Sequence, residues 1–200
     1  MKKNIYYSLL ISAMVSVSVA EETRQVDKHE HGVGELNIAI EGNAIDFEFF
    51  IPGADIVGFE YEAKTESDIA LVNAALEKFG NFDNIFSLPE SSNCNLVNSE
   101  IGVNQDDDHD DHDEHDDHDE HDDHDDHDDH DDHNEEAHNE FVAHYSFNCE
   151  NIKEIDRISF PYFTNFPNSG ELEVQFVSEK GSTGFEVEGD EPFIDLKGKI

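Results

Sequence analysis

The sequence predicts a protein of the α+β class, mainly antiparallel β, with one short helix packed on the sheet and a disordered His/Asp-rich insertion. Apolar and polar residues alternate along most segments, one segment has helical spacing, and one long tract contains almost no apolar residues. Alternation with a period of two turns one face of each strand toward a core. We therefore expect a single β-rich domain that the tract interrupts.

The clearest pattern is a predicted hairpin near the start of this domain. Two alternating runs are separated by Glu-Gly-Asn at residues 41–43, which favours a tight turn, and Pro-Gly at 52–53 ends the second run. The residues expected to face the core are Leu36, Ile38, Ile40, Ile45, Phe47, Phe49 and Ile51.

One segment has convincing helical spacing, at residues 67–79. Its apolar positions repeat at intervals of three and four, Thr65 and Ser67 are candidate N-caps, and Gly80 is a stop signal. The expected core-facing positions are Ile69, Val72, Ala75, Leu76 and Phe79. Residues 54–59 are expected to form a short turn or helix.

The remaining strands are predicted on either side of the tract and after it. Residues 94–103 and 141–149 flank it, and residues 155–162, 171–178 and 185–187 follow. Residues 165–170 and 180–184 are rich in turn-forming residues. With hairpin-length connections, one face of the sheet should pack on the helix or on a second sheet.

The first twenty residues resemble a secretory signal peptide. Lys2 and Lys3 form a positive start, residues 5–19 are mostly apolar, and small residues at 18–20 suit cleavage after Ala20. The apolar run is short for a membrane-spanning helix. We expect export to the periplasm, a β-rich domain at residues 21–104 and 138–200, and the metal-binding loop at 105–137 between them.

The charge balance restricts the class of partner. The chain has 11 Lys and Arg against 50 Asp and Glu, a net charge of −39. Such a surface repels nucleic acids and anionic lipids and concentrates cations. Because of this charge, we expect no nucleic-acid binding. No later segment is apolar enough to span a bilayer, so we also expect no membrane insertion after cleavage. Divalent metal ions are the natural ligands.

Two cysteines, Cys94 and Cys149, flank the tract. In an exported chain a lone pair of cysteines usually forms a disulfide. A cysteine-based metal site is the alternative, but it lacks a C-x-x-C pair. We predict a disulfide that ties off the base of the tract.

The tract at residues 106–136 contains Asp, Glu and His almost exclusively, with histidine at every third position. Without apolar residues it cannot form a core, so we expect disorder in the absence of metal. Imidazole and carboxylate suit Zn²⁺, although Ni²⁺ and Cu²⁺ also bind such ligands, and a solvated acidic spacer is the bland alternative. The predicted ligands are His109, His112, His115, His118, His121, His124, His127, His130 and His133.

A second, more rigid site is predicted from strand parity. In the segment 138–149 the even positions, which include His138 and His144, lie opposite the apolar face. His29 and His31 have outward parity if the first strand extends back to them. If the two strands are neighbours, these four histidines could bind one ion more tightly than the tract.

The chain carries no familiar catalytic signature. H-E-x-x-H, a Gly-rich phosphate loop, G-x-S-x-G and an isolated Cys/His nucleophile pair are all missing from the sequence. We therefore expect a binding protein and not an enzyme. A zinc hydrolase would need an open coordination position beside a general base, and remains the rival from the enzyme class.

Several motifs resemble the ZrgA-like family of zinc-regulated periplasmic zinc-binding proteins. They are His-Glu-His-Gly at 29–32, residues 51–60, Phe-Ser-Leu-Pro at 86–89, the His-rich insertion, and residues 140–149. A histidine follows Gly-Phe-Glu in that family, whereas Tyr61 occupies this place here. If that histidine binds metal in relatives, this chain lacks one ligand.

The resemblance implies an accessory protein that gathers Zn²⁺ for an ABC importer, with the importer's substrate-binding protein as its partner. The alternative function is periplasmic storage or sequestration of zinc, nickel or copper. Both functions use the same tract, so the sequence alone leaves the direction of metal flow open.

Overall fold

The computed structural model of the protein describes residues 32–105 and 139–200, which form a β-rich α+β fold. The strands are β1 (Val33–Glu41), β2 (Ala44–Pro52), β3 (Cys94–Gln105), β4 (Asn139–Cys149), β5 (Arg157–Ser159), β6 (Glu171–Ser178), β7 (Gly181–Glu188) and β8 (Phe193–Asp195). The helices are α1 (Gly53–Val57), α2 (Glu66–Phe79) and α3 (Tyr162–Asn165), with short 3-10 helices at Phe82–Asn84, Glu90–Ser92 and Ile152–Glu154. None of the described helices is long and apolar enough to cross a membrane.

Six strands form the main sheet in the order β3-β4-β2-β1-β6-β7, and β5 pairs with β8 in a small second sheet. All neighbours in the main sheet are antiparallel except β1 and β6, which are parallel. The prediction of a mainly antiparallel sheet is therefore confirmed, with one parallel pair formed by its fourth and fifth strands. The long chain between β1 and β6 permits that pair, since parallel strands need a long connection.

The predicted hairpin is confirmed as β1 and β2. Ile40 lies opposite Ile45, and the turn between the strands places Gly42 at φ 59°, a conformation that glycine adopts without steric cost. Every predicted inward position of the two strands is buried. The alternation of apolar and polar residues specifies the pairing register of the two strands, because a slip of one residue would expose the whole apolar set.

The buried face of the main sheet, which we call the inner face, is covered by an aromatic core. Phe86 from the segment after α2 lies flat on Phe47, with ring centroids 4.1 Å apart, and Phe79 from α2 stacks on Phe166 at 5.0 Å. All four side chains are essentially inaccessible to solvent. Burying each such ring contributes about 2–3 kcal/mol, so these contacts contribute substantially to the stability of the fold.

Helix α2 is confirmed, but only its second half packs as predicted. Thr65 is the N-cap and accepts a hydrogen bond from the Asp68 backbone, as the cap rule requires. Ala75 and Phe79 are buried, whereas Ile69 is 45% exposed. Tyr145 of β4 donates a hydrogen bond to the Phe79 carbonyl and holds the end of the helix on the sheet.

Two predictions for the C-terminal part are wrong in detail. The strand expected at residues 155–162 is only β5, because Pro161 cannot donate to a strand ladder and α3 follows it. Residues 181–184, expected as part of a turn, belong to β7 and pair with β6. Pairing along the sheet edge outweighs the local preference of Gly181 and Gly184 for turns.

Candidate functional site

The histidine-bearing segments join the described fold at one end of the strands of the main sheet, which we call the insertion edge. Strands β1, β4 and β6 begin at this edge, and β2, β3 and β7 end there, as their pairing directions require. Residues 1–31 connect to it at Gly32. Residues 106–138 connect to it at Gln105 and Asn139, which are paired across β3 and β4.

The structure corrects the hypothesis that the strands following His31 and His138 are neighbours. Strand β2 lies between β1 and β4. Because adjacent strands are separated by about 4.8 Å, the starts of β1 and β4 are about 10 Å apart. Long side chains from two next-nearest strands can still approach a common point, but only beyond the end of the intervening strand.

A buried polar cluster around α1 fixes both attachment points. The Gly32 amide donates to Asp55 Oδ1 at 2.9 Å, and the Asn139 amide donates to the Glu60 carbonyl at 2.8 Å. Asn139 Nδ2 also donates to the Tyr61 carbonyl at 3.1 Å. Asp55 and Asn139 are each 3% exposed. The insertion edge is therefore rigid where residues 1–31 and 106–138 leave it.

The packing at this cluster requires glycine at position 53. A Cβ atom added to Gly53 would lie 1.5 Å from Asn139 Oδ1 and 2.7 Å from the Phe59 carbonyl. The Pro-Gly sequence after β2 thus allows α1 to approach the start of β4. The sequence pattern predicts this glycine only as a strand terminator, because the close approach depends on a residue far along the chain.

Tyr162 and its neighbours help to hold the same cluster in place. Its hydroxyl shares a hydrogen bond with Ser169 at 2.5 Å, and Gly32 accepts hydrogen bonds from the amides of Gly170 and Glu171. Burial raises the pKa of Tyr162 above its ordinary value, the Ser169 hydrogen bond opposes that shift, and the charge of Asp55 adds to it. The hydroxyl therefore stays neutral and acts as a structural tie.

His144 lies elsewhere, in the middle of the exposed face of the sheet. Its Nε2 is 3.7 Å from Asp46 Oδ1, and its strand positions opposite are Glu48 and Glu100. The outward parity predicted for His144 is correct. However, β4 rises about 17 Å between Asn139 and His144, too far for one ion to bind both His144 and a residue at the insertion edge.

The other predicted ligands lie outside the described residues. They are His29, His31, His109, His112, His115, His118, His121, His124, His127, His130, His133 and His138. Within residues 32–105 and 139–200, no three His, Cys, Asp or Glu side chains converge on a point that could hold a metal ion. The metal-ligand set therefore stays a prediction from the sequence.

The predicted disulfide between Cys94 and Cys149 is present, but its position differs from the expectation. The two residues are paired across β3 and β4, with Cα atoms 3.9 Å apart. They lie at the opposite end of the hairpin from Gln105 and Asn139. The β3–β4 ladder, and not the disulfide, therefore closes the base of the insertion.

The residues that build the insertion edge, above all Asp55 and Asn139, were not predicted from the sequence. Asp55 had a local signal, because an acidic residue in the first turn after Pro-Gly favours a helix start. Asn139 had none. It follows the acidic tract without a change in composition, and its role depends on partners in the segment after α1.

Comparison with known proteins gives one informative match. A family model described as "ZrgA family zinc uptake protein" matches residues 28–196. No curated protein matches the chain. The matched region includes both parts of the described fold and the insertion between them. Because it covers nearly the whole chain, the chain belongs to the ZrgA family of zinc uptake proteins.

Proposed function

We propose that this chain is an exported, non-enzymatic zinc-binding protein of the bacterial periplasm. It captures Zn²⁺ through its His/Asp-rich loop, residues 105–137, and assists zinc acquisition by an ABC importer. The observation that carries the proposal is the histidine at every third position among carboxylates, in a chain of a zinc uptake family. The signal-like start supports export, and the lack of catalytic motifs supports a binding role.

The chemistry of the loop favours capacity over tight binding. Zn²⁺ takes imidazole nitrogen and carboxylate oxygen in four-coordinate sites, and neighbouring repeats supply both. Fixing a residue of a flexible chain costs about 1–2 kcal/mol, which lowers the affinity of each site relative to a rigid one. Protons compete for the imidazoles, so zinc loading should decrease as the pH falls.

The paired strands β3 and β4 give the loop a stable base. Gln105 and Asn139 face each other on adjacent strands, and pairing continues from them to Cys94 and Cys149. Asn139 is also held by Glu60 and Tyr61. Metal binding in the loop can therefore change the loop without any need to rearrange the sheet.

A tighter second site is proposed at the insertion edge, from His29, His31 and His138. All three belong to segments that join the fold there, at Gly32 and Asn139. We exclude His144 from this site because of its distance along β4. Replacing the three histidines together should remove a single tight zinc equivalent and leave the capacity of the loop unchanged.

The direct test is to delete residues 106–133 and measure bound zinc by calorimetric titration of untagged protein at pH 7.5. Residues 134–138 then bridge Gln105 and Asn139, a connection of common hairpin length. We expect the loss of several zinc equivalents, with a thermal midpoint within about 2 °C of the parent because the core is untouched. Unchanged zinc uptake would contradict the proposal.

A matched control keeps the length and acidity of the loop and replaces its nine histidines, from His109 to His133, by glutamine. If imidazole is the essential ligand, this variant should lose as much zinc as the deletion. Retention of zinc by the glutamine variant would assign binding to the carboxylates instead. Transcription separates uptake from storage: induction by zinc starvation supports uptake, and induction by excess metal supports sequestration.

A further inference from the structure

The face of the main sheet opposite the aromatic core, which we call the outer face, carries carboxylates on every strand. The six strands contribute, in spatial order, Glu100, Glu140, Glu48, Glu35, Glu173 and Glu186. No lysine or arginine of the described residues lies on a strand of this sheet. Protein surfaces ordinarily mix both signs, so this separation of charge is itself a feature of the molecule.

Two described lysines near β7 are directed away from the outer face. Lys180, in the turn between β6 and β7, donates to the carbonyls of Gly198 and Ile200. Lys199 lies over the ring of Phe185, 5.5 Å from its centroid, and Phe185 has inner-face parity because it is paired with Val174. These two lysines therefore do not neutralise the outer face.

One row of the outer face sets like charges directly opposite each other. Glu35 is paired with Glu173 across β1 and β6, and Glu173 with Glu186 across β6 and β7. All three side chains are exposed. Like charges in directly opposed positions destabilise a sheet, and a broken local rule is expected at functional sites. The repulsion would be relieved by a cationic partner.

The outer face also has the anatomy of a protein interface. Val177 is 49% exposed, and Ala39, its partner across β1 and β6, is exposed as well, so the two form a small apolar patch near the ends of their strands. Two shallow depressions of about 430 and 500 Å³ meet at Gln175, and His144 lines the first of them. The face measures about 700 Å² from strand spacing and length, close to the roughly 800 Å² per partner of a standard interface.

We infer that the outer face docks a partner protein whose contacting surface is rich in Lys and Arg and has an apolar patch that meets Val177 and Ala39. A free metal ion would gain nothing from Val177 and Ala39, and a nucleic acid or an anionic membrane would be repelled. The inference rests on the proposed function for the identity of the partner, which is the protein that accepts the metal. Opposite charges would speed the encounter, and the apolar patch would hold the complex.

The test uses the full-length, disulfide-bonded protein and the substrate-binding protein of the zinc importer encoded in the same genome. The outer-face variant is Glu35→Gln, Glu173→Gln and Glu186→Gln. The control variant, with the same change in charge away from this face, is Glu77→Gln, Glu90→Gln and Glu154→Gln. Binding is measured by biolayer interferometry at 50 and 300 mM NaCl, and zinc content is measured on the same samples.

We expect the outer-face variant to bind at least tenfold more weakly at 50 mM NaCl, mainly through a slower association rate, and the control to stay within twofold. The outer-face variant should also melt about 2–5 °C higher, since repulsion is removed, which separates weak docking from poor folding. Absence of docking by the parent, or equal losses in both variants, would overturn the inference. Failure of the parent to take up zinc would overturn the proposed function instead.

Discussion

The two ends of the main sheet are built for different purposes. At the insertion edge, residues 1–31 and 106–138 join the fold beside a buried polar cluster. At the other end, the turn edge, chain reversals are short: Gly42 and Asn43 connect β1 to β2, Glu179 and Lys180 connect β6 to β7, and a disulfide clamps β3 to β4. Covalent and local constraints thus stabilise one edge and leave the other for the histidine-bearing segments.

This arrangement suits a fold that carries the proposed metal-capturing loop without depending on it for stability. The disulfide lies at the end of β3 and β4 opposite Gln105 and Asn139, and hydrogen bonds to Gly32 and Asn139 hold the points where residues 1–31 and 106–138 join the fold. If residues 105–137 capture metal as proposed, mutation should separate stability from metal capture. Changes at the disulfide, at Gly53 and at Tyr162 probe this separation.

Removing the disulfide by Cys94→Ala and Cys149→Ala should lower the free energy of unfolding by about 3–4 kcal/mol, because the unfolded chain regains the entropy of a long closed loop. The number of zinc ions bound per chain should not change, since the β3–β4 ladder supports the loop. Urea unfolding and zinc content after dialysis measure the two quantities. A loss of half the zinc would show that the disulfide does shape the loop.

Gly53→Ala should lower the free energy of unfolding by about 1–3 kcal/mol, because the added methyl group at the insertion edge overlaps Asn139. The matched control is Gly102→Ala on β3, where an added Cβ meets no atom within 4 Å and the change should stay within about 0.5 kcal/mol. Urea unfolding compares the two variants. Equal effects would mean that the close approach of α1 to β4 does not contribute to stability.

Tyr162→Phe should lower the free energy of unfolding by about 1 kcal/mol at neutral pH, since Ser169 loses its buried partner. The tyrosine pKa is raised by burial, so its contribution is complete below pH 10, the ordinary tyrosine value, and decreases as the pH rises further. The parent should therefore lose stability above pH 10, and the variant should lose less. Burial also raises the pKa of Tyr145, which is present in the parent and in the variant and affects them equally. The control is Tyr61→Phe, at an exposed position.

Much of the fold could be predicted because its strands alternate cleanly. The inward positions of β1, β2 and β4 are buried as expected, and Thr65 begins α2. The bounds of helix α2 were predicted to within one residue, but its core-facing set was predicted too broadly, since Ile69 repeats at helical spacing and is nevertheless exposed. Periodicity identifies the apolar side of a helix and leaves open how far its partner surface extends.

The candidate site was predicted less completely. Residue type and spacing predict imidazole and carboxylate as metal ligands, which stays a prediction, and outward parity placed His144 on the exposed face correctly. The assumed adjacency of β1 and β4 was wrong because β2 occupies the place between them. No local signal could reveal that Asn139 would reach the Tyr61 carbonyl, across a large separation in sequence.

Backbone period and residue type are local properties, so the amino-acid sequence was enough to predict the strand faces, the helix start, the cysteine pairing and the ligand chemistry expected of residues 105–137. The fold was needed to show that β1 pairs in parallel with β6, that the disulfide lies far from Gln105 and Asn139, and that carboxylates of six strands share one face. Strand order depends on pairing and packing between distant segments, and no local pattern contains the energies of those contacts.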